Sequence, residues 1–185
     1  MRVLALADKR APVDPATMAL QARVEAIICL GDLDRAWIES ITSVPVARIG
    51  VHGNHDPDDF LREIEVEDLH GRRTALGGMT FAGMEGCVRY SKSGHHQYTQ
   101  KEGAKIARRL PAADVLLCHC PPRGINDDPD DPAHVGWEGL REWVDRHRPR
   151  HLLHGHTHPM PGRIATRHGD TQVHYVSGAR VLNLT

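Results

Sequence analysis

Apolar residues fall along this chain in short blocks separated by polar, helix-like stretches. The blocks at residues 3–7, 26–30, 46–51, 115–118 and 151–154 read as buried strands. Between them, residues 15–25, 34–42, 99–110 and 137–147 carry helix signals. Thr99 and Glu102 have the spacing of a capping box, and Pro149 stops the fourth helix, whose Trp137, Leu140 and Val144 share one face. Residues 74–88 and 163–185 read as further strands, punctuated by Gly77-Gly78, Gly83, Gly86, Gly169-Asp170 and Gly178. The alternation predicts an α/β fold in which two packed sheets use all of these strands. Without repeats, low-complexity tracts or a dividing linker, residues 1–185 are expected to form one domain.

The residues just past these blocks carry the chemistry. Five apolar runs each end in a side chain able to bind a metal: Asp8, Asp32, Asn54 with His55 and Asp56, His119, and His156 with His158. In open α/β sheets ligands gather beyond the carboxyl ends of the strands, so residues scattered in sequence can meet there. Glycine precedes Asp32, Asn54 and His156, as suits a backbone that turns sharply and approaches a ligand closely. Any one such residue after a strand is ordinary turn chemistry. The Gly-Asn-His-Asp and Gly-His-Thr-His clusters together make chance placement a poor account. A mixed oxygen and imidazole set suits Mn²⁺, Fe or Zn²⁺ better than Ca²⁺. His156 and His158, two apart, would point to the same side in extended chain and could reach different ions. The Pro-, Asp- and Gly-rich loop at 121–134 comes directly after a strand and is expected to lie over the site.

Composition adds one oddity, 14 histidines in 185 residues, which favours metal chemistry. The formal net charge of −1 supplies no general field for nucleic acid or an acidic membrane, and the basic groups Arg72-Arg73, Arg108-Arg109 and 146–150 are short and interrupted. Cys29, Cys87, Cys118 and Cys120 sit mostly in apolar runs, so reduced, buried thiols are expected. The opening apolar run stops at Asp8, too short for a signal segment or a membrane span, and gives a cytoplasmic expectation. His95-His96 lies in a polar turn between Tyr90 and Tyr98 and is expected to be solvated. His52, His151 and His154 are given structural roles rather than direct ligation.

Gly31-Asp32, Gly53-Asn54-His55-Asp56, His119 with Pro121-Pro122, and Gly155-His156-Thr157-His158 resemble, in order and spacing, the motifs of the calcineurin-like metallophosphoesterases. Asn126, His134-Val135-Gly136 and the helix before Arg148-Pro149 also resemble a small, bacterial-type branch related to brain metallophosphoesterase domain proteins. The resemblance implies a four-layer α-β-β-α sandwich and a metal-dependent phosphoesterase acting on a small phosphorylated substrate, a phosphodiester in preference to a monoester. It further implies that Asp32 bridges two divalent ions, Mn²⁺ or Fe/Mn with Zn²⁺ as an alternative. Asp8 and His158 would complete one site, and Asn54, His119 and His156 the other. His55 would assist the leaving group, with Asp56 either orienting its ring or capping a helix before Pro57.

One motif departs from the family pattern of Asp, any residue, His: here it reads Asp8-Lys9-Arg10. A guanidinium has no lone pair to give a metal. The first site is therefore weakened, or draws a ligand from elsewhere, or Arg10 holds the substrate phosphate in bidentate fashion. Arg123, beside His119 in sequence, is a second candidate substrate contact. A non-catalytic scaffold with a decayed first site is the competing reading, opposed by the retained His55.

Overall fold

The computed structural model describes residues 1–92 and 94–185. Its elements in chain order are β1 (Arg2–Ala7), α1 (Pro15–Ala22), β2 (Ala26–Cys29), α2 (Arg35–Ile38), β3 (Ala47–Gly50), α3 (Phe60–Glu63), β4 (Glu67–Asp68), β5 (Arg73–Leu76), β6 (Met79–Met84), β7 (Cys87–Val88), β8 (Gln97–Tyr98), α4 (Gln100–Arg109), β9 (Val115–Cys118), α5 (Glu138–His147), β10 (His151–His154), β11 (Arg167–His168), β12 (Thr171–Tyr175) and β13 (Gly178–Asn183).

Two mixed sheets form, with strand orders β13-β1-β2-β3-β4 and β11-β12-β10-β9-β6-β5, and β7 pairs with β8 beside them. In the first sheet β1, β2, β3 and β4 run parallel and β13 antiparallel to β1. In the second, β6, β9, β10 and β12 run parallel, with β5 and β11 antiparallel at its two edges.

The apolar blocks are unbroken because the central strands are covered on both faces. Val3, Ala5 and Ala7 of β1 join Ile28, Phe81, Leu117 and Leu153 in a core between the sheets. The alternate residues Leu4 and Leu6 face Ala16, Ala19, Ile38 and Leu61 of the helices on the outer side. Across the molecule, Leu116, Cys118 and Leu152 face Ala107, Trp137, Leu140 and Val144. The order is therefore helix, sheet, sheet, helix. All four cysteines are free and buried. Among the described residues no helix is long and apolar enough to cross a membrane.

Helix ends differ from the periodic reading where local bonding competes. α1 stops at Ala22 because Arg23 turns left-handed at φ 50° and caps onto Ala19 and Leu20 carbonyls. After Ile38 the chain tightens into a 3-10 turn over Glu39–Ser43. There the Thr42 and Ser43 hydroxyls bond back to the carbonyls of Glu39 and Ser40, which draws the backbone away from α-geometry. The Thr99 capping box forms as the spacing predicts.

Helices α4 and α5 approach closely because glycine lines their contact. A Cβ on Gly103 would lie 2.4 Å from the Trp137 ring, and one on Gly139 would lie 2.6 Å from Ala104 Cα. Gly103→Ala should gain about 1 kcal/mol of helix propensity. It should lose about 1–3 kcal/mol by forcing the rigid indole aside. The expected outcome is net destabilisation, read as a lower denaturant midpoint at unchanged slope.

Candidate metal centre

Loops following β1, β2, β3 and β10 meet the 121–134 loop around a cavity of about 470 Å³. Asp8, Lys9, Asp32, Asn54, His55, Tyr90, Ala133, His134, His156 and His158 line it. His119, just past β9, lies fully buried beside this wall.

The backbone is bent to present these side chains. Asp8, Asp32 and His156 all adopt left-handed conformations, at φ 55°, 54° and 66°. Such geometry costs on the order of 1–3 kcal/mol per residue and persists only where neighbours enforce it. The neighbours are close. Asp8 accepts the His156 N–H at 3.1 Å, and Asp32 accepts the His55 N–H at 2.8 Å. Gly31 and Gly53 make the close approach possible: a Cβ on Gly31 would fall 2.1 Å from Gly53 N, and one on Gly53 would fall 2.0 Å from Asp32 Oδ1.

Three acceptor atoms point at one another. His119 Nδ1 lies 2.7 Å from the Leu30 carbonyl, which can only accept, so Nδ1 carries a proton and Nε2 is the ring atom left to hold either a second proton or a metal ion. That Nε2 lies 3.1 Å from Asn54 Oδ1 and 3.3 Å from Asp32 Oδ2. Asn54 is turned oxygen-inward because its Nδ2 donates to the Tyr90 hydroxyl at 3.2 Å. On the fourth side, His156 Nε2 donates to the Ala133 carbonyl at 2.8 Å, leaving Nδ1 as its lone-pair atom. Asp32, His119 and His156 offer donor atoms all within 4.8 Å of one another. A carboxylate, an amide oxygen and two imidazole nitrogens so arranged repel unless a proton on His119 Nε2 or a cation in its place stands among them, and the set fits a divalent first-row ion.

Electrostatics express the same demand. Burial opposes charge on His119, yet the Asp32 and Asp8 carboxylates override it and raise its pKa to about 9. Asp32, despite its own burial, is held down to about 2 by His119. Burial lifts Asp8 to about 6. Burial together with the charge of His119 lowers His156 to about 3, so it stays neutral as a ligand must.

The predicted residues do not all take their predicted places. Asp56 neither orients the His55 ring nor caps a helix. Its buried carboxylate accepts the N–H groups of Asp32, Leu33 and Gly53 at 3.0, 3.2 and 2.7 Å, tying the two ligand loops together, and α3 begins after Asp59. Arg10 is exposed and off the cavity wall; Lys9 supplies the cation there. Arg123 also lies off the wall and pairs with Asp127 at 3.7 Å. His156 and His158 reach the cavity through a left-handed turn rather than an extended strand, the first buried and the second exposed. Asp8 and His158 line the wall but stand outside the compact group of three. His55 sits at the rim, 72% exposed, with Nε2 3.9 Å from Asp32 Oδ2.

The structure adds residues that the sequence alone did not assign to the site. Tyr90 orients Asn54. His134, held at Nδ1 by Asp131 at 2.6 Å, sets its ring at a tilt against both His156 and His158, with centroids 5.2 Å apart in each pair. As the histidine of the loop expected to cover the site, it carried a usable signal. Lys9 and Tyr90 carried none.

An α/β sandwich with oxygen and imidazole donors gathered at its strand ends is an architecture able to hold a divalent metal. A family model described as calcineurin-like phosphoesterase matches residues 13–160, and the chain belongs to that family. Membership supports metal-dependent phosphoester hydrolysis in general and the use of divalent metals. One solved crystal structure shares 18% identity over 93% of this chain and 88% of its own, with a TM-score of 0.64. The TT1561 protein of Thermus thermophilus shares 15% over 83% and 80%, at 0.62. A hypothetical protein from the same organism shares 18% over 96% and 76%, at 0.55. At these identities the likeness is one of fold. No curated protein matches the chain.

Asp56→Ala would leave three N–H groups, those of Leu33 and Gly53 buried and that of Asp32 half-buried, without an acceptor. Chemical denaturation should report a loss on the order of 3 kcal/mol, against a smaller one for Asp56→Asn, which keeps an acceptor oxygen.

Proposed function

We propose that this chain hydrolyses a small phosphate ester, a phosphodiester in preference to a monoester, at the cavity beside Asp32. The reading rests on the convergence of His119 Nε2, Asn54 Oδ1 and Asp32 Oδ2, each held in place through its residue's other atoms. Asn54, Asp32, His119 and His156 would hold one divalent ion, Mn²⁺ or Fe with Zn²⁺ as the alternative. Asp8, Asp32 and His158 would hold a second more weakly, since position 10 offers no imidazole. Bound ions of this kind acidify water and neutralise charge in an in-line displacement at phosphorus.

The chain's own groups do the rest. Exposed at the rim and tethered to Asp32 through its backbone, His55 can deliver a proton from Nε2 to a departing alkoxide. The Lys9 ammonium faces the cavity as the cation available to a phosphoryl oxygen. His134, its Nδ1 engaged by Asp131, can offer Nε2 to the same oxygens. With Lys9 the one lysine or arginine on the wall, a monoanionic diester is better matched than a dianionic monoester. The short, interrupted basic groups favour a small substrate over nucleic acid, and a cytoplasmic setting suits the reduced thiols.

Bis(p-nitrophenyl) phosphate and p-nitrophenyl phosphate, assayed with Mn²⁺, Fe²⁺, Zn²⁺ and Ni²⁺, provide the test. The diester should be the better substrate. His55→Ala should lower kcat by about 10²–10⁴ at unchanged metal content. Asn54→Ala should lose metal as well as rate. No turnover with any metal, the same for wild type and His55→Ala, would instead identify a non-catalytic scaffold, and equal nonzero rates would remove His55 from the mechanism.

A further inference from the structure

A second cluster of ligand-type side chains stands apart from the catalytic cavity, whose wall includes none of them. We propose that His52, Glu85 and His96 form a binding site for a borderline-soft divalent ion, best matched by Zn²⁺, that clamps the segment carrying His96 to the loop carrying Asn54. Unlike the expectation for a solvated turn, the His96 side chain is only 10% exposed, and its ring stacks on that of His52 with centroids 4.6 Å apart.

The separations suit such an ion. His52 Nδ1 lies 3.2 Å from Glu85 Oε2, and His96 Nδ1 lies 3.3 Å from Glu85 Oε1. Donors bound tetrahedrally at about 2.0–2.1 Å stand about 3.3 Å from one another. All three residues offer atoms within 4.8 Å of each other. His70 Nδ1 is a further 3.6 Å from the same carboxylate, and the Tyr98 hydroxyl donates to it.

His52 Nε2 and His96 Nε2 are both buried without a hydrogen-bond partner, so no partner there fixes the tautomer, and each ring can carry its proton on Nε2 and present the Nδ1 lone pair beside Glu85. There is also a way in. His52 lines a cleft of about 430 Å³ whose wall carries Asp58, Glu65, Glu67 and Asp68 against the single base Arg62. Asp58 Oδ1 reaches within 3.5 Å of His96 Nε2. That wall draws cations and repels phosphate esters, which separates it chemically from the catalytic cavity.

An ion here would act on the first site at a distance. Gly86 N donates to the His52 carbonyl at 2.9 Å, and Cys87 N donates to the His96 carbonyl at 3.1 Å. The loop of His52 continues to Asn54, and the segment after Cys87 carries Tyr90, the residue that turns the Asn54 amide. Fastening one to the other would stiffen that pair.

The test uses untagged protein with the catalytic donors removed by Asp32→Asn and His119→Ala. Dialysed against Zn²⁺ and analysed for metal, this variant should retain about one ion per chain, and Zn²⁺ should raise its melting temperature. Adding His96→Ala or Glu85→Gln should abolish both. In the otherwise wild-type chain, His96→Ala should lower bound Zn²⁺ by about one equivalent at an unchanged circular dichroism spectrum, which covers the case of a background that fails to fold. Zinc content independent of His96 in either background would overturn the proposal and leave the cluster as an ion pair between Glu85 and protonated imidazole.

Discussion

The forced approach of the Asp32 carboxylate, the Asn54 carbonyl and His119 Nε2, which repel unless a positive charge lies among them, is the constraint around which the rest of the molecule is arranged. Left to themselves these atoms would turn away from one another. Each is prevented by a bond made elsewhere: the Leu30 carbonyl fixes the His119 tautomer, the Tyr90 hydroxyl fixes the Asn54 amide, and the His55 N–H fixes one Asp32 oxygen. A site so held is unfavourable until a positive charge enters it, either a second proton on His119 Nε2 or a metal ion in that proton's place. The raised pKa of His119 and the lowered pKa of Asp32 are two expressions of that single fact.

Holding those bonds in place requires two sheets and a bent backbone. Parallel strands β1, β2 and β3 of one sheet and β9 and β10 of the other deliver the ligand loops, and the core between the sheets fixes their relative positions. Asp56 then stitches the loops after β2 and β3 with three backbone hydrogen bonds. Left-handed turns at Asp8, Asp32 and His156 aim the side chains. The local penalty of those turns is carried by the burial of Leu4, Leu6, Ile28, Leu117 and Leu153 below them.

Much of this is legible in the residues alone, for identifiable reasons. β1, β2, β9 and β10 announce themselves because both of their faces are buried, and each runs straight into a candidate ligand. β4, β7 and β8, two residues apiece, carry no periodicity and exist through their neighbours. The role of Asp56 could not be read from Asn-His-Asp-Pro, because its partners are backbone groups 23 and 24 residues away as well as nearby Gly53. Which of Lys9 and Arg10 faces the cavity depends on the turn that Asp8 makes, which residue identity does not specify. His96 looked like a surface histidine because its neighbours in sequence are polar, whereas its neighbours in space are His52 and Glu85.

Anomalous diffraction from crystals soaked with a first-row divalent ion examines the central relationship most directly. The account predicts a peak bonded at about 2.0–2.2 Å to Asn54 Oδ1, His119 Nε2, His156 Nδ1 and an Asp32 oxygen. Failure of any ion to bind there at saturating concentration, with His119 Nε2 still in direct contact with Asn54 Oδ1, would contradict it.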